Sequence, residues 1–260
     1  MTRFSPLATP SATRAALARH GLATKKALGQ NFLIHDAIVG KICELAQVDA
    51  GDDVLEVGPG IGTLTVALCA RARAVHAIER DRDLAPVLEE SCWNFDNFTL
   101  HMGDALQVDS DDLGGFAPTK LVANLPYAVA ATLVLDFFDR FPSMRSMTVM
   151  VQKEVGERFA AAPGEAQYSA LTAEGQYLYE IRKLFNVPGR SFNPSPTVDS
   201  IILQFVRKKE SPQDVRDFFA FVRGCFGQRR KTILNNLKNN LGMSSAQALA
   251  ALKKTGIKES

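Results

Sequence analysis

One stretch constrains this chain more than any other: Val54-Leu55-Glu56-Val57-Gly58-Pro59-Gly60-Ile61-Gly62. A short apolar β-type run ends in a turn with glycine at alternate positions, and Thr63 to Ala70 then reads as a helix. Strand, tight turn and helix make the opening unit of an α/β fold. Glycine there lets backbone N–H groups approach a ligand closely and accepts positive φ. The spacing is G-x-G-x-G rather than the dinucleotide pattern G-x-G-x-x-G. Nothing resembles G-x-x-x-x-G-K-[ST], so a nucleoside triphosphate is not expected. A glycine turn alone also fits a purely structural role. The next strand, Ala74 to Ile78, adds weight because it ends in Glu79, 21 residues after Gly58. An acid at that spacing and at a strand's carboxyl end suits a ribose diol.

The pattern then repeats. Phe98 to Met102 reads as a strand ending at Gly103-Asp104, Lys120 to Ala123 as one ending at Asn124-Leu125-Pro126-Tyr127, and Met147 to Val151 as a fifth. Helices are predicted over Asp36 to Val48, with Ile38, Ile42, Leu45 and Ala46 on one face, from an Asp83 cap to about Trp93, and from Val129 to Phe141. Alternating strands and helices call for a parallel sheet with helices on both faces and ligands beyond the carboxyl ends of its strands. Gly58, Glu79, Asp104 and Asn124 all fall at such ends, which places them in one crevice.

Tyr177 to Phe185 and Ser200 to Val206 read as two further strands, separated by a proline-rich loop over residues 187–196. Beyond Pro212 the apolar period becomes helical. The expected organisation is a basic N-terminal tail (residues 1–24), a Rossmann-like domain (25–208) and a small helical domain (209–260).

Charge is uneven although the net value is only +2. Residues 1–30 hold five Lys or Arg and no acid, and residues 210–260 hold nine against four, leaving an acidic centre. Basic flanks suit a polyanion, and equally suit solvated helix faces. The first 24 residues read as a floppy basic tail, a composition that an organelle-targeting leader shares. No apolar run reaches the length of a membrane span, so a cytoplasmic protein is expected. The four cysteines show no C-x-x-C and the four histidines no ligand spacing, so no metal is expected. His76 and His101 read as packing or surface residues within strands.

Asn124-Leu125-Pro126-Tyr127 carries chemistry. The exocyclic amine of adenine is a poor nucleophile because its lone pair is delocalised into the ring. The Asn124 side-chain oxygen and the Leu125 carbonyl can accept its two N–H groups and favour a pyramidal nitrogen with the lone pair free. Pro126 stiffens the backbone that presents that carbonyl. Tyr127 can stack on the base, an interaction worth roughly 1–3 kcal/mol. A base inside a duplex cannot enter such a pocket, so the target is unpaired or extruded.

With these residues in view, the chain resembles the ribosomal RNA adenine dimethylases. The likeness rests on Glu56 to Gly62, Asn124 to Tyr127, Lys25-Lys26-Ala27-Leu28-Gly29-Gln30-Asn31-Phe32-Leu33, Val151-Gln152-Lys153-Glu154-Val155, Pro194 to Ser200 and Arg230-Lys231-Thr232. It spans about residues 24 to 240 and is strongest toward the bacterial small-subunit enzymes, ahead of the 23S rRNA methylases.

The resemblance implies S-adenosylmethionine as cofactor, a Rossmann-like methyltransferase sheet with a C-terminal helical domain, and dimethylation of N6 on two adjacent adenosines near the 3′ end of 16S rRNA. It puts Asn31, Leu33, Gly58, Glu79, Asp104 and Asn124 on the cofactor, and Asn124, Leu125, Pro126 and Tyr127 at the target adenine. Lys25, Lys26, Arg229, Arg230 and Lys231 are the expected RNA contacts, and a monomer is expected. Two segments depart from the family pattern: Ala128-Val129-Ala130, where Asn-Ile-Ser is usual, and Tyr168-Ser169-Ala170-Leu171, where Tyr-Gly-Arg-Leu is usual. A catalytically silent assembly factor is the alternative from another class.

Overall fold

The computed structural model describes residues 3–25, 29–208 and 215–258. The chain forms two compact units, one of residues 1–157 with 180–207 and one of 158–179 with 208–260. In chain order the first unit holds α1 (Pro10–Arg19), β1 (Phe32–Leu33), α2 (Asp36–Leu45), β2 (Asp53–Val57), α3 (Thr63–Cys69), β3 (Ala74–Glu79), α4 (Ala85–Cys92), β4 (Phe98–Met102), β5 (Lys120–Asn124), α5 (Ala130–Arg140) and β6 (Ser146–Gln152). Helix α6 (Lys153–Phe159) leads out of it and α7 (Ala170–Leu178) lies in the second unit. Strands β7 (Tyr179–Val187), β8 (Phe192–Asn193) and β9 (Ser200–Arg207) return to the first.

Seven strands form one sheet in the order β4-β3-β2-β5-β6-β9-β7. The first five run parallel, as alternation with helices requires, whereas β9 runs antiparallel to β6. The expected all-parallel sheet is therefore a mixed one. The reason lies in the connection: the chain leaves after β6 through α6 and α7, and β9 then pairs with β6 from Ser146↔Val206 to Gln152↔Ser200. Val54, Val75, Val122, Met150 and Ile202 form one buried face with Val39, Ile42 and Cys43 of α2 and Leu64, Ala67 and Leu68 of α3. Leu55, Leu121, Val149 and Leu203, which alternate with them, are equally buried. Both faces are thus covered, the condition that parallel strands impose.

Three expectations change. Residues 3–24 are not a floppy tail. Thr9 caps α1 by accepting from the Ala12 N–H at 3.1 Å, and Ala16 and Leu17 pack inward. The Asp36 carboxylate accepts the N–H groups of Phe4 and Ser5 at 3.2 and 2.8 Å. The inward stripe is short and alanine-rich, so the arginines mask it. On α2 the buried face is Val39, Ile42, Cys43 and Ala46; Ile38 and Leu45 are only half-buried. The proline-rich loop also carries β8, which pairs antiparallel with β1 through Phe32↔Asn193 and Leu33↔Phe192.

The second unit is helical: α7, α8 (Arg216–Phe226), α9 (Ile233–Leu241) and α10 (Ser245–Thr255). Leu237, Ala248 and Leu252 form its small core. Residues 158–179 belong here, although the sequence reading places them with the sheet. Arg223 on α8 donates to both oxygens of buried Glu174 on α7 at 2.8 and 3.1 Å, which ties the two segments.

Candidate active site

The glycine turn is the mould of the site. Gly58 and Gly60 take φ of 68° and 63°, the left-handed region that a side chain disfavours. A Cβ at Gly60 would come within 2.9 Å of the Phe32 ring, and one at Gly58 within 3.3 Å of Pro126. The turn is therefore pressed between the segment that carries β1 and the Asn124–Tyr127 loop. Motifs far apart in sequence meet here because Gly58 and Gly60 carry no side chain where the two segments press on the turn.

A cleft of about 570 Å³ opens at the carboxyl ends of β2, β3, β4 and β5. All nine residues expected at cofactor or base line it: Asn31, Leu33, Gly58, Glu79, Asp104, Asn124, Leu125, Pro126 and Tyr127. Glu79 is buried, its Oε1 accepting the N–H groups of Arg80 and Asp81 at 2.8 Å and its Oε2 that of Gly60 at 3.3 Å. Burial pushes its carboxyl above the usual range, and those N–H groups offset part of the rise. Asp104 accepts from the Leu106 N–H at 3.0 Å and lies 3.6 Å from Arg80. The Asn124 Nδ2 donates to the Asn31 carbonyl at 3.4 Å, which leaves its Oδ1 as the group free to accept. The Leu125 N–H is held by the Met150 carbonyl at 3.1 Å. Tyr127 is anchored through its hydroxyl to Ser200 Oγ at 2.8 Å.

The sequence profile of the ribosomal RNA adenine dimethylases matches residues 21–260. The chain belongs to this family. Two relatives, both named ribosomal RNA small subunit methyltransferase A, are each 42% identical to it. The one from Geobacillus sp. (strain WCH70) aligns over 90% of this chain and 84% of that protein; the one from Moorella thermoacetica over 96% and 91%. Among solved structures, a dimethyladenosine transferase from Plasmodium falciparum superposes with a TM-score of 0.73 at 29% identity, over 87% of this chain and 82% of that one. The 23S rRNA methyltransferase ErmE gives 0.66 at 27%, over 88% and 91%.

This dimethylase is thus an S-adenosylmethionine-dependent rRNA adenine dimethyltransferase with a Rossmann-like fold. The cleft fits that donor on its own evidence. It joins a glycine cradle that a Cβ would fill to two buried carboxyls, Glu79 and Glu56. The Glu56 Oε2 has no hydrogen-bond partner among the described residues.

Several lining residues escaped the motif reading. Gln30 accepts from the Lys25 N–H at 2.8 Å and donates to Asp81 at 2.7 Å, fastening the segment before β1 to the loop after β3. The Lys25 ammonium joins the same cluster, 2.7 Å from Asp81 and 2.5 Å from Asp83. Lys25 is thus engaged in a clamp at the rim of the cleft. Asp81, not Asp83, caps the turn before α4, accepting from the Asp83 N–H at 3.2 Å. Lys26 lies outside the described residues. Arg229, Arg230 and Lys231 are all exposed in the second unit, with Arg229 donating to the Ala166 carbonyl. The usual Tyr-Gly-Arg-Leu is replaced where α7 begins, and there the Thr172 hydroxyl accepts the Ser169 N–H at 3.0 Å. No group of three or more metal-ligating side chains is found among the described residues.

Proposed function

We propose that this dimethylase methylates N6 of two adjacent adenosines in the 3′-terminal hairpin of 16S rRNA, within the small ribosomal subunit. The orientation of Asn124 carries the reading. Its amide N–H is tied to Asn31, which leaves its oxygen, on a residue that lines the cleft, to accept from the target amine. The Leu125 carbonyl accepts the second N–H. Tyr127, held at its hydroxyl end, offers its ring to the base. Glu79 takes the ribose diol of the donor and Asp104 its adenine amine. No strong general base is needed, because the proton departs after the methyl group has arrived.

The small-subunit substrate is supported by the names of the relatives at 42% identity, against 27% for the 23S enzyme. No helix among the described residues is long and apolar enough to cross a membrane. Work on ribosomal particles in the cytoplasm, as a monomer, is part of this proposal. Arg229, Arg230 and Lys231 supply phosphate contacts.

Mapping methylated adenosines by mass spectrometry on small subunits lacking the modification tests this. Two adjacent dimethyladenosines in the terminal hairpin are expected, and methylation of 23S rRNA alone would overturn it. Replacing Arg229, Arg230 and Lys231 together with Ala is expected to weaken particle binding and to reduce its log–log salt slope by about 2–3, at roughly 0.9 per phosphate contact.

A further inference from the structure

One group in the cleft has no place in the scheme above. Glu56 is the single acid in the buried run Val54 to Val57 and is 1% exposed. It lines the donor cleft, yet its Oε2 meets no hydrogen-bond partner among the described residues. An ion so placed is costly to keep, so burial favours the protonated carboxyl.

Its surroundings offer no opposite charge. The titratable group that acts on it is Glu79 of β3, and Glu56 acts in turn on Cys43 of α2 and Cys69 of α3. Arg71, which also acts on Cys43, is tied to the Ala67 carbonyl at 2.7 Å and sits over the Phe4 ring. Glu79 holds three backbone N–H groups and so keeps the negative charge of the pair, leaving the proton to Glu56. Burial, with Glu79 adding to it, pushes the Glu56 carboxyl up to about 8, and the nearby Thr65 hydroxyl offsets part of this.

We propose that Glu56 is a charge-sensing residue of the donor cleft, protonated when the cleft holds no cation and ionised when a sulfonium occupies it. Binding of S-adenosylmethionine then releases the Glu56 proton to solvent. In the demethylated product the sulfur is a neutral thioether while the amino-acid end is unchanged, so the sulfonium charge is what is lost; Glu56 then takes a proton back and the site discriminates against product. For an enzyme that spends one donor per methyl group, this favours exchange of spent for fresh donor between transfers. The inference rests on reading this cleft as the donor site.

Titration calorimetry tests it in two buffers of different ionisation enthalpy, with S-adenosylmethionine and S-adenosylhomocysteine, from pH 6 to 9. For the wild type, close to one proton released per donor at pH 7 is expected, and clearly less per product. The donor-to-product affinity ratio is expected to rise by up to tenfold per pH unit and to level off above pH 8. Glu56→Gln mimics the protonated carboxyl and is expected to release none and to flatten that ratio. Because each ligand titrates identically against both proteins, the difference between them belongs to Glu56. Equal proton release by wild type and Glu56→Gln overturns the proposal, as does a ratio independent of pH in the wild type alone should the variant not fold. A wild type that binds neither ligand overturns the donor-site reading itself, and this proposal with it.

Discussion

Two buried carboxyls stand four positions apart at opposite ends of β2 and obey opposite rules. Asp52, just before the strand, is saturated. Its Oδ2 faces the Lys120 ammonium at 2.8 Å and the Asp49 N–H at 3.0 Å, and its Oδ1 faces the Thr119 hydroxyl at 3.3 Å and Arg145 at 3.7 Å. Burial alone would raise its carboxyl, but Lys120 and these donors outweigh burial and hold it below the usual range. Glu56 is more deeply isolated, and its carboxyl is pushed the other way. Burial does not separate structure from function here; satisfaction does. At the amino end of the sheet every buried polar atom of Asp52 has been answered by the protein. At the carboxyl end the protein leaves acceptors open, Glu56 Oε2 and Asn124 Oδ1 among them.

The contrast breaks first at Asn124. If the open acceptors at the carboxyl end do the chemistry, Asn124→Ala is expected to cut methyl transfer to small subunits at least about 100-fold, the scale of removing one preorganised polar group from an active site. Particle binding is expected to stay nearly unchanged. A variant with the wild-type rate would remove Asn124 from its role.

At the other end the expected loss is of stability. Lys120→Met leaves the Asp52 carboxylate buried without its ammonium, a change that costs about 3 kcal/mol in comparable buried pairs. Denaturant midpoints at pH 7 read it. The sign follows from the lowered carboxyl: Asp52 contributes stability above its ordinary value of 3.8 and loses it as pH falls through the folded value. The penalty of Lys120→Met should therefore shrink in acid. Methyl transfer per folded molecule is expected to hold, and a specific activity loss would mean that the two ends are not separate.

Much of this site was legible before the fold was known. Gly58, Glu79, Asp104 and Asn124 end successive strands, and strand ends are set by local hydrophobic period, which sequence carries. What stayed hidden depends on long-range pairing. Lys25 is expected at the RNA, and its ion pair with Asp81, 56 positions on, has no local signal in the sequence. The reversal of β9 follows from the long connection that leaves β6 through α6 and α7, which its own residues do not record. α1 is masked by its arginines, and on α7 the buried Glu174 is accounted for only by Arg223, 49 positions on. Glu56 had a signal that went unused. A lone acid inside an otherwise apolar strand is expensive, and a chain that keeps one has a use for its charge or its proton.

That expense gives the smallest and sharpest test. A carboxyl whose folded value lies near 8, against an ordinary 4.5, leaves stability intact below pH 4.5 and drains it as pH rises toward 8. Glu56→Gln removes the titration while keeping shape. In the ligand-free protein it is therefore expected to be nearly neutral at pH 4.5, stabilising by roughly 2 kcal/mol at pH 6, or about 5 °C in Tm, and stabilising by more at pH 8. Asp52→Asn is expected to do the reverse at neutral pH, because it discards an ion the fold has fully answered. Thermal unfolding of the two variants at pH 4.5 and 8 sets the carboxyls side by side. If Glu56→Gln proves destabilising at pH 8, Glu56 is a satisfied structural ion like Asp52, and the asymmetry between the two ends of β2 disappears.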